Sequence, residues 1–255
     1  MAKVIVTAIQ KGGVGKSTTV HEIAANLAKM RKRVLVIDLD GQQNLSHHTG
    51  ADFEVVSIHD VLMGKVSIFD AIQSVNGLDV IIADKALHRA DRDFDEEEDV
   101  RRLALALSAV KDSYNYILID TPPALGTLPE MALCAADFVL IPNEATVEGA
   151  QGLGQLAESI QKIREQYNPK LNIIGVFMAM FNGRTIFNRA MCKQIEAISN
   201  ANGIKVLETY IRTSVAVQEA HGLRQSLVEY APKSKPAQDY KALTKEILKE
   251  MEQYV

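Results

Sequence analysis

The sequence predicts an α/β fold: a mainly parallel, twisted sheet with helices on both faces. Three observations carry the prediction. Short apolar runs alternate with segments of helical spacing along the chain, as they do where strands are joined by helical crossovers. A glycine-rich loop, residues 11–18, separates the first apolar run from the first helical segment. Two further apolar runs end in aspartate, at Asp38 and Asp120. In an open parallel sheet such strand ends gather along one edge, where ligands bind.

Taken in order, residues 4–9 form the first apolar run and read as a buried strand. After the glycine loop, Val20, Ile23, Ala24, Leu27 and Met30 recur at helical spacing. Residues 34–37 are a second strand, ending at Asp38, and residues 78–83 a third. Residues 116–119 lead into Asp120, residues 138–141 stop at Pro142, and residues 171–177 are a further strand. Helical segments lie near 101–110, 149–166 and 188–200. The last segment, 237–253, sets Tyr240, Leu243, Ile247 and Met251 on one face and balances Lys241, Lys245 and Lys249 against Glu246, Glu250 and Glu252. A membrane-surface helix would be richer in lysine and arginine, so this one reads as docked on the domain. Between 91 and 99, seven of nine residues are acidic. With nothing rigid to organise them, they read as a solvated loop rather than a metal site. With no repeat, low-complexity tract or long linker, residues 1–255 read as a single domain.

At 255 residues, 47% apolar and 24% charged, the chain has ordinary globular composition. The first apolar run is too short for a signal peptide, and no stretch approaches the ~20 apolar residues of a membrane helix. Cys134 and Cys192 are isolated, without the spacing of a metal site, and suit an intracellular protein. The adjacent His47 and His48 read as loop residues. The net charge of −4 excludes a protein basic throughout. Residues 180–255 nevertheless hold 11 Lys and Arg against 8 Asp and Glu, which leaves room for a basic patch there.

The loop Lys11, Gly12, Gly13, Val14, Gly15, Lys16, Ser17, Thr18 fits the phosphate-loop pattern in a compressed form. Its glycines let the backbone turn tightly and aim N–H groups at an anion, and the following helix adds its positive end. Lys16 reaches outer phosphates, and the Ser17 hydroxyl ligates Mg²⁺. Asp38 and Asp120, each closing an apolar run, have the arrangement in which a carboxylate holds that metal directly or through water.

Lys11 is a lysine that an ordinary phosphate loop does not require. With it the loop resembles the deviant Walker A box, K-G-G-V-G-K-[ST]-T, and the whole chain resembles the ParA/Soj partition ATPases. Asp38-Leu39-Asp40-Gly41-Gln42-Gln43-Asn44 is similar to their D-x-D-P-Q-x-N, with Gly41 where proline is usual. Asp120-Thr121-Pro122-Pro123 matches their D-T-P-P, residues 180–185 their M-Y-D-x-R-T, and residues 230–240 their Y-x-P-x-S tail. The resemblance implies a P-loop NTPase fold, ATP and Mg²⁺ as ligands, and hydrolysis of ATP to ADP and phosphate. It implies that Lys11 crosses to the partner's nucleotide in an ATP-bound homodimer. Lys16 and Asp40 join it in catalysis, Asp40 orienting the attacking water. Ser17, Asp38 and Asp120 serve the metal, and Asn182 and the backbone at Ile211, Arg212 and Thr213 flank adenine. It further implies non-specific duplex-DNA binding and a small, ParB-like centromere-binding partner that stimulates hydrolysis, hence a cytoplasmic, nucleoid-associated protein without a membrane partner. Arg184 matches the family's DNA-contacting arginine. A second such arginine is missing from residues 212–220, and Arg189, Arg212, Arg224, Lys233 and Lys235 are the substitutes. Two other readings stand beside this one: a MinD-like membrane-associated positioning ATPase, whose basic terminal helix is absent here, and a biosynthetic P-loop ligase of the dethiobiotin-synthase type.

Overall fold

Apolar residues at alternate positions of the first strand face opposite ways, and this sorts the core into two layers. Val4 and Val6 pack into one layer and Ile5 into the other. In the computed structural model, which describes residues 1–95, 97–123, 126–182 and 186–254, the elements run in chain order as follows. β1 (Lys3–Thr7) leads through the glycine loop into α1 (Lys16–Lys29), followed by β2 (Val34–Asp38), α2 (Asn44–Thr49) and α3 (Ile58–Leu62). Then come β3 (Gln73–Val75), β4 (Leu78–Ile81), α4 (Ala90–Asp93) and α5 (Arg102–Ser108). β5 (Tyr116–Asp120), α6 (Thr127–Ala135), β6 (Phe138–Asn143), α7 (Val147–Gln166) and β7 (Asn172–Met178) complete the sheet. α8 (Ile186–Ala201), α9 (Val215–Gly222), α10 (Leu227–Tyr230) and α11 (Lys235–Met251) close the chain.

The seven strands lie in the order β3-β4-β2-β5-β1-β6-β7, all parallel except the edge strand β3, which runs antiparallel to β4. One layer receives α5, α6, α7 and Ile195 of α8. The other receives α1, Leu45 of α2, and α9 to α11. The expected α/β sheet with helices on both faces is therefore present. The order also puts β1 between β5 and β6, and β2 beside β5. The glycine loop, Asp38 and Asp120 consequently emerge side by side at one edge of the sheet.

Three local expectations change. β6 does not stop at Pro142 but continues to Asn143, pairing Pro142 with Phe177 of β7. Its ladder with β1 ends at Leu140, so the missing proline N–H costs no bond on that side. His47 and His48 lie on α2 rather than in a loop. The acidic stretch is partly organised. Asp91 accepts hydrogen bonds from the Thr127 N–H and hydroxyl at the start of α6, both at 3.1 Å, and Asp93 faces His59 at 3.3 Å. Among the described residues no cluster of His, Cys, Asp and Glu has the geometry of a metal site. Nor is any described helix long and apolar enough to cross a membrane.

Candidate active site

The loop between β1 and α1 is anchored by Val14, which is fully buried in the core. Gly13 and Gly15 adopt φ of 72° and 85°, left-handed values that favour glycine. A side chain added at Gly12, Gly13 or Gly15 would meet nothing within 4 Å, so the loop forms an open cradle. α1 begins at Lys16 with no side-chain cap and no acidic residue in its first turn. Its leading N–H groups thus remain available to an anion. A cavity of about 300 Å³ fills this end of the sheet, lined among others by Gly12, Gly13, Lys16, Ser17, Thr18 and Asp40. A larger hollow, about 540 Å³, belongs to α7, β7 and residues 202–204 and shares none of these groups.

Lys16 is buried, and its Nζ donates to the Lys11 carbonyl at 3.0 Å. Burial lowers its pKa against the pull of the Asp120 and Asp40 carboxylates. Asp38 and Asp120 are register partners on β2 and β5, both fully buried. Their environments differ. Asp38 accepts from the Ser46 N–H and hydroxyl (2.9 and 2.7 Å) and from the Asp40 N–H (3.0 Å). Burial still outweighs these bonds and pushes its pKa up to about 6. Neither oxygen of Asp120 has a hydrogen-bond partner. Burial and then the Asp38 charge hold its carboxyl well above the usual range, with the Ser17 hydroxyl and the Lys16 ammonium opposing. A carboxyl buried in this way stays anionic only when a cation stands beside it. Carboxylate and hydroxyl oxygens are the ligands magnesium takes, so Asp120 with Ser17 fits that metal. Asp38, saturated by Ser46 and Asp40, fits a supporting position that fixes the turn carrying Asp40. Asp40 itself lines the cavity and accepts from the Gln42 N–H at 2.9 Å.

Gly41, the departure from the proline of the resembling motif, has a local cause. A Cβ placed there would meet the His88 imidazole at 2.9–3.0 Å. The exposed His88 side chain takes the space that such a Cβ would occupy.

A second cavity of about 220 Å³ adjoins the loop. Gly13, Gly15 and Thr18 line it on one side and Ile211, Arg212, Thr213 and Tyr240 on the other. Three of the four adenine-flanking positions expected from the sequence are therefore brought to the loop. Asn182 lies outside that lining, although Phe181 beside it donates its N–H to the Ile211 carbonyl at 2.8 Å. Arg212 is held by Asp239 through two side-chain bonds, at 2.8 and 2.5 Å. Lys11 is tied within its own subunit, to Glu144 at 2.5 Å and to the Thr146 hydroxyl, the N-cap of α7, at 2.8 Å. The sequence reading missed Glu144 and Thr146, because nothing in their spacing joins them to a loop more than 130 residues earlier.

The basic residues expected to meet DNA are not gathered in the same way. Arg184 lies outside the described residues. Arg189 is exposed on α8, while Arg224, Lys233 and Lys235 are exposed on the segment from α9 to α11, in the other layer.

Comparison with known proteins agrees with this geometry. A family profile described as an AAA domain matches residues 2–173. The chain is 37% identical to the sporulation initiation inhibitor protein Soj of Bacillus subtilis over 254 residues, covering 97% of this chain and 98% of Soj. It is 35% identical to the chromosome partitioning protein ParA of Caulobacter vibrioides, covering 96% and 94% of the two chains. Among solved structures, cobyrinic acid a,c-diamide synthase of Mycobacterium smegmatis with bound ATP analogue and magnesium superposes with a TM-score of 0.85. It is 28% identical, and the match covers 99% of this chain and 96% of that one. With near-complete coverage at such identity to Soj and ParA, and the glycine cradle and paired strand-end aspartates at one edge of its sheet, the chain belongs to the ParA/Soj family of P-loop ATPases.

Proposed function

We propose that this protein is a DNA-partition ATPase whose ATP-bound dimer grips DNA without regard to sequence and lets go after hydrolysis. The observation that carries the reading is the cavity itself. A glycine cradle open to an anion faces a buried lysine and a buried carboxylate that has no hydrogen-bond partner. The triphosphate of ATP lies along the loop from Gly12 to Thr18, and Lys16 offsets the charge of its outer phosphates. Ser17 and Asp120 would hold Mg²⁺, which would supply positive charge beside those phosphates. Asp40, set in place by the Asp38–Ser46 buckle, orients the attacking water. Ile211, Arg212 and Thr213 line the nucleoside side, and Arg212, paired with Asp239, is assigned there rather than to DNA. Lys11 leaves Glu144 and Thr146 to reach the partner's nucleotide, and a ParB-like protein bound at a centromere stimulates turnover. The names of the relatives, a chromosome partitioning protein among them, support the DNA role.

Mg²⁺-dependent ATPase activity measured with and without duplex DNA, and then with lipid vesicles, tests the reading. DNA-dependent turnover is expected. Stimulation by vesicles alone would favour a membrane-positioning role, and turnover indifferent to both would favour a biosynthetic enzyme. Lys16→Ala removes the main cation of the site and is expected to abolish nucleotide binding in equilibrium titration. Retained micromolar affinity would overturn the phosphate-site assignment.

A further inference from the structure

Three imidazoles beside the loop have no part in the chemistry above. His21 comes from α1, His48 from α2 and His221 from α9. The His48 and His221 rings are stacked, with centroids 3.5 Å apart and planes inclined by 13°. The His21 ring lies 6.5 Å from that of His48. His48 and His221 both line the cavity of the glycine loop, and His221 also lines the adjoining cavity, so it stands at the junction of the two. Each ring keeps a buried nitrogen with no hydrogen-bond partner: His21 Nδ1, His48 Nδ1 and His221 Nε2. Buried polar atoms are normally satisfied, and the two such rings that line the cavity, His48 and His221, point to a ligand there that completes them.

The surrounding charged groups do not. On α1, Glu22 is turned to the Leu227 N–H. On α2, His47 packs on Phe53. On α9, Glu219 accepts from the Tyr230 hydroxyl. Arg224, just beyond α9, lies over Gly50. Across the cavities, Arg212 is paired with Asp239, Tyr240 faces Thr19, and Lys16 and Asp40 share the lining. None of them gives the three rings a hydrogen bond. Burial, reinforced by the neighbouring rings, holds His21 at about 4 and His48 at about 3, and burial lowers His221 as well. All three are therefore neutral near pH 7 without a ligand.

We propose that His48 and His221 are nucleotide contacts, and that the stacked pair takes up one proton when a polyphosphate occupies the loop. The inference rests on the reading of the loop as a phosphate site. Two imidazolium rings in contact would repel each other, so the pair accepts a single proton. A multiply charged anion beside it favours the protonated form. Nucleotide affinity consequently rises as pH falls, by up to about tenfold for each pH unit below the pKa of the bound state.

The test follows imidazole C–H signals of the full chain by NMR between about pH 5.5 and 8, the range in which a histidine reports a shift. Single variants assign the signals, and Mg-AMPPNP is the probe. Without nucleotide, the His21 and His48 signals are not expected to titrate. With it, the His48 or the His221 signal is expected to titrate inside the window. Calorimetric affinity across the same range is expected to strengthen towards low pH in the wild type, and to do so less in the double variant His48→Gln, His221→Gln. Subtracting the variant removes the nucleotide's own titration. Saturating nucleotide with unshifted His48 and His221 signals, or the same pH dependence in the double variant, would overturn the inference and leave the phosphate site standing. Failure of the wild type to bind Mg-AMPPNP would overturn both.

Discussion

Glu22 shows at one residue how burial sets the acid–base behaviour of this chain. It lies on α1 with one carboxylate oxygen accepting from the Leu227 N–H at 2.8 Å and the other without a partner. Burial pushes its pKa up to about 8, against an unfolded value of 4.5. Between those values the folded chain holds a proton that the unfolded chain has released. The stabilisation from neutral Glu22 is complete below the unfolded pKa and drains away as pH rises through the folded one, at about 1.4 kcal/mol per pH unit. Glu22→Gln keeps the acceptor for Leu227 and removes the titration. Urea denaturation at a series of pH values is expected to show wild-type stability falling relative to the variant between about pH 5 and 8. Parallel curves would show that Glu22 is not protonated in the folded protein. Asp38 and Asp120 obey the same physics with different outcomes. Ser46 and Asp40 supply donors that oppose burial and leave Asp38 at about 6, whereas burial and the Asp38 charge hold Asp120, which has no hydrogen-bond partner, well above the usual carboxylate range.

At the scale of elements, the β3–β4 hairpin turns through Asn76 and Gly77, whose φ values of 50° and 75° are both positive. That pair is the preferred two-residue hairpin turn. Gly77→Val forces a β-branched residue into the left-handed region and is expected to cost about 1–3 kcal/mol, read as a lower denaturation midpoint with unchanged cooperativity. No loss would mean the turn relaxes. β3 escaped the sequence reading, because it is only three residues long, too short for an alternating pattern to register. The six other strands announced themselves because strands buried on both faces are continuous apolar runs. The loop, Asp38 and Asp120 were legible because each sits at the end of such a run. The Lys11–Glu144–Thr146 contact and the histidine cluster were not, because they join residues that only the sheet order and the docking of α7 and α9 bring together. The acidic stretch misled in part for the same reason, since the α6 N-terminus that Asp91 caps lies 36 residues further on.

At the scale of the whole molecule, the proposed function has Lys11 link the site to assembly. Within one subunit its ammonium satisfies Glu144 and Thr146, and in a dimer it would offset the charge of the partner's triphosphate. Lys11→Ala leaves the cradle and Lys16 in place. It is expected to retain nucleotide binding and to lose ATP-dependent dimerisation, as measured by light scattering. A normal ATP dimer in this variant would remove Lys11 from the interface.

The same dimer is what would hold DNA. The whole chain carries a net charge of −4, so attachment must come from a local basic surface, and phosphate contacts are the kind that grip without reading sequence. Arg184, outside the described residues, is the first choice through its motif. Arg189, Arg224, Lys233 and Lys235 are exposed and supply further cations. Two copies of each in a dimer double the count, which makes binding conditional on ATP. Affinity is expected to fall with salt at a log–log slope of about −0.9 per phosphate neutralised. Arg184→Ala should weaken binding equally on unrelated duplexes and make that slope shallower by about one contact. A loss confined to one sequence would indicate base contact instead. If the ATP-loaded wild type fails to bind duplex DNA at low salt, the partition mechanism fails, while the ATPase site in the glycine cradle remains to be explained by another cargo.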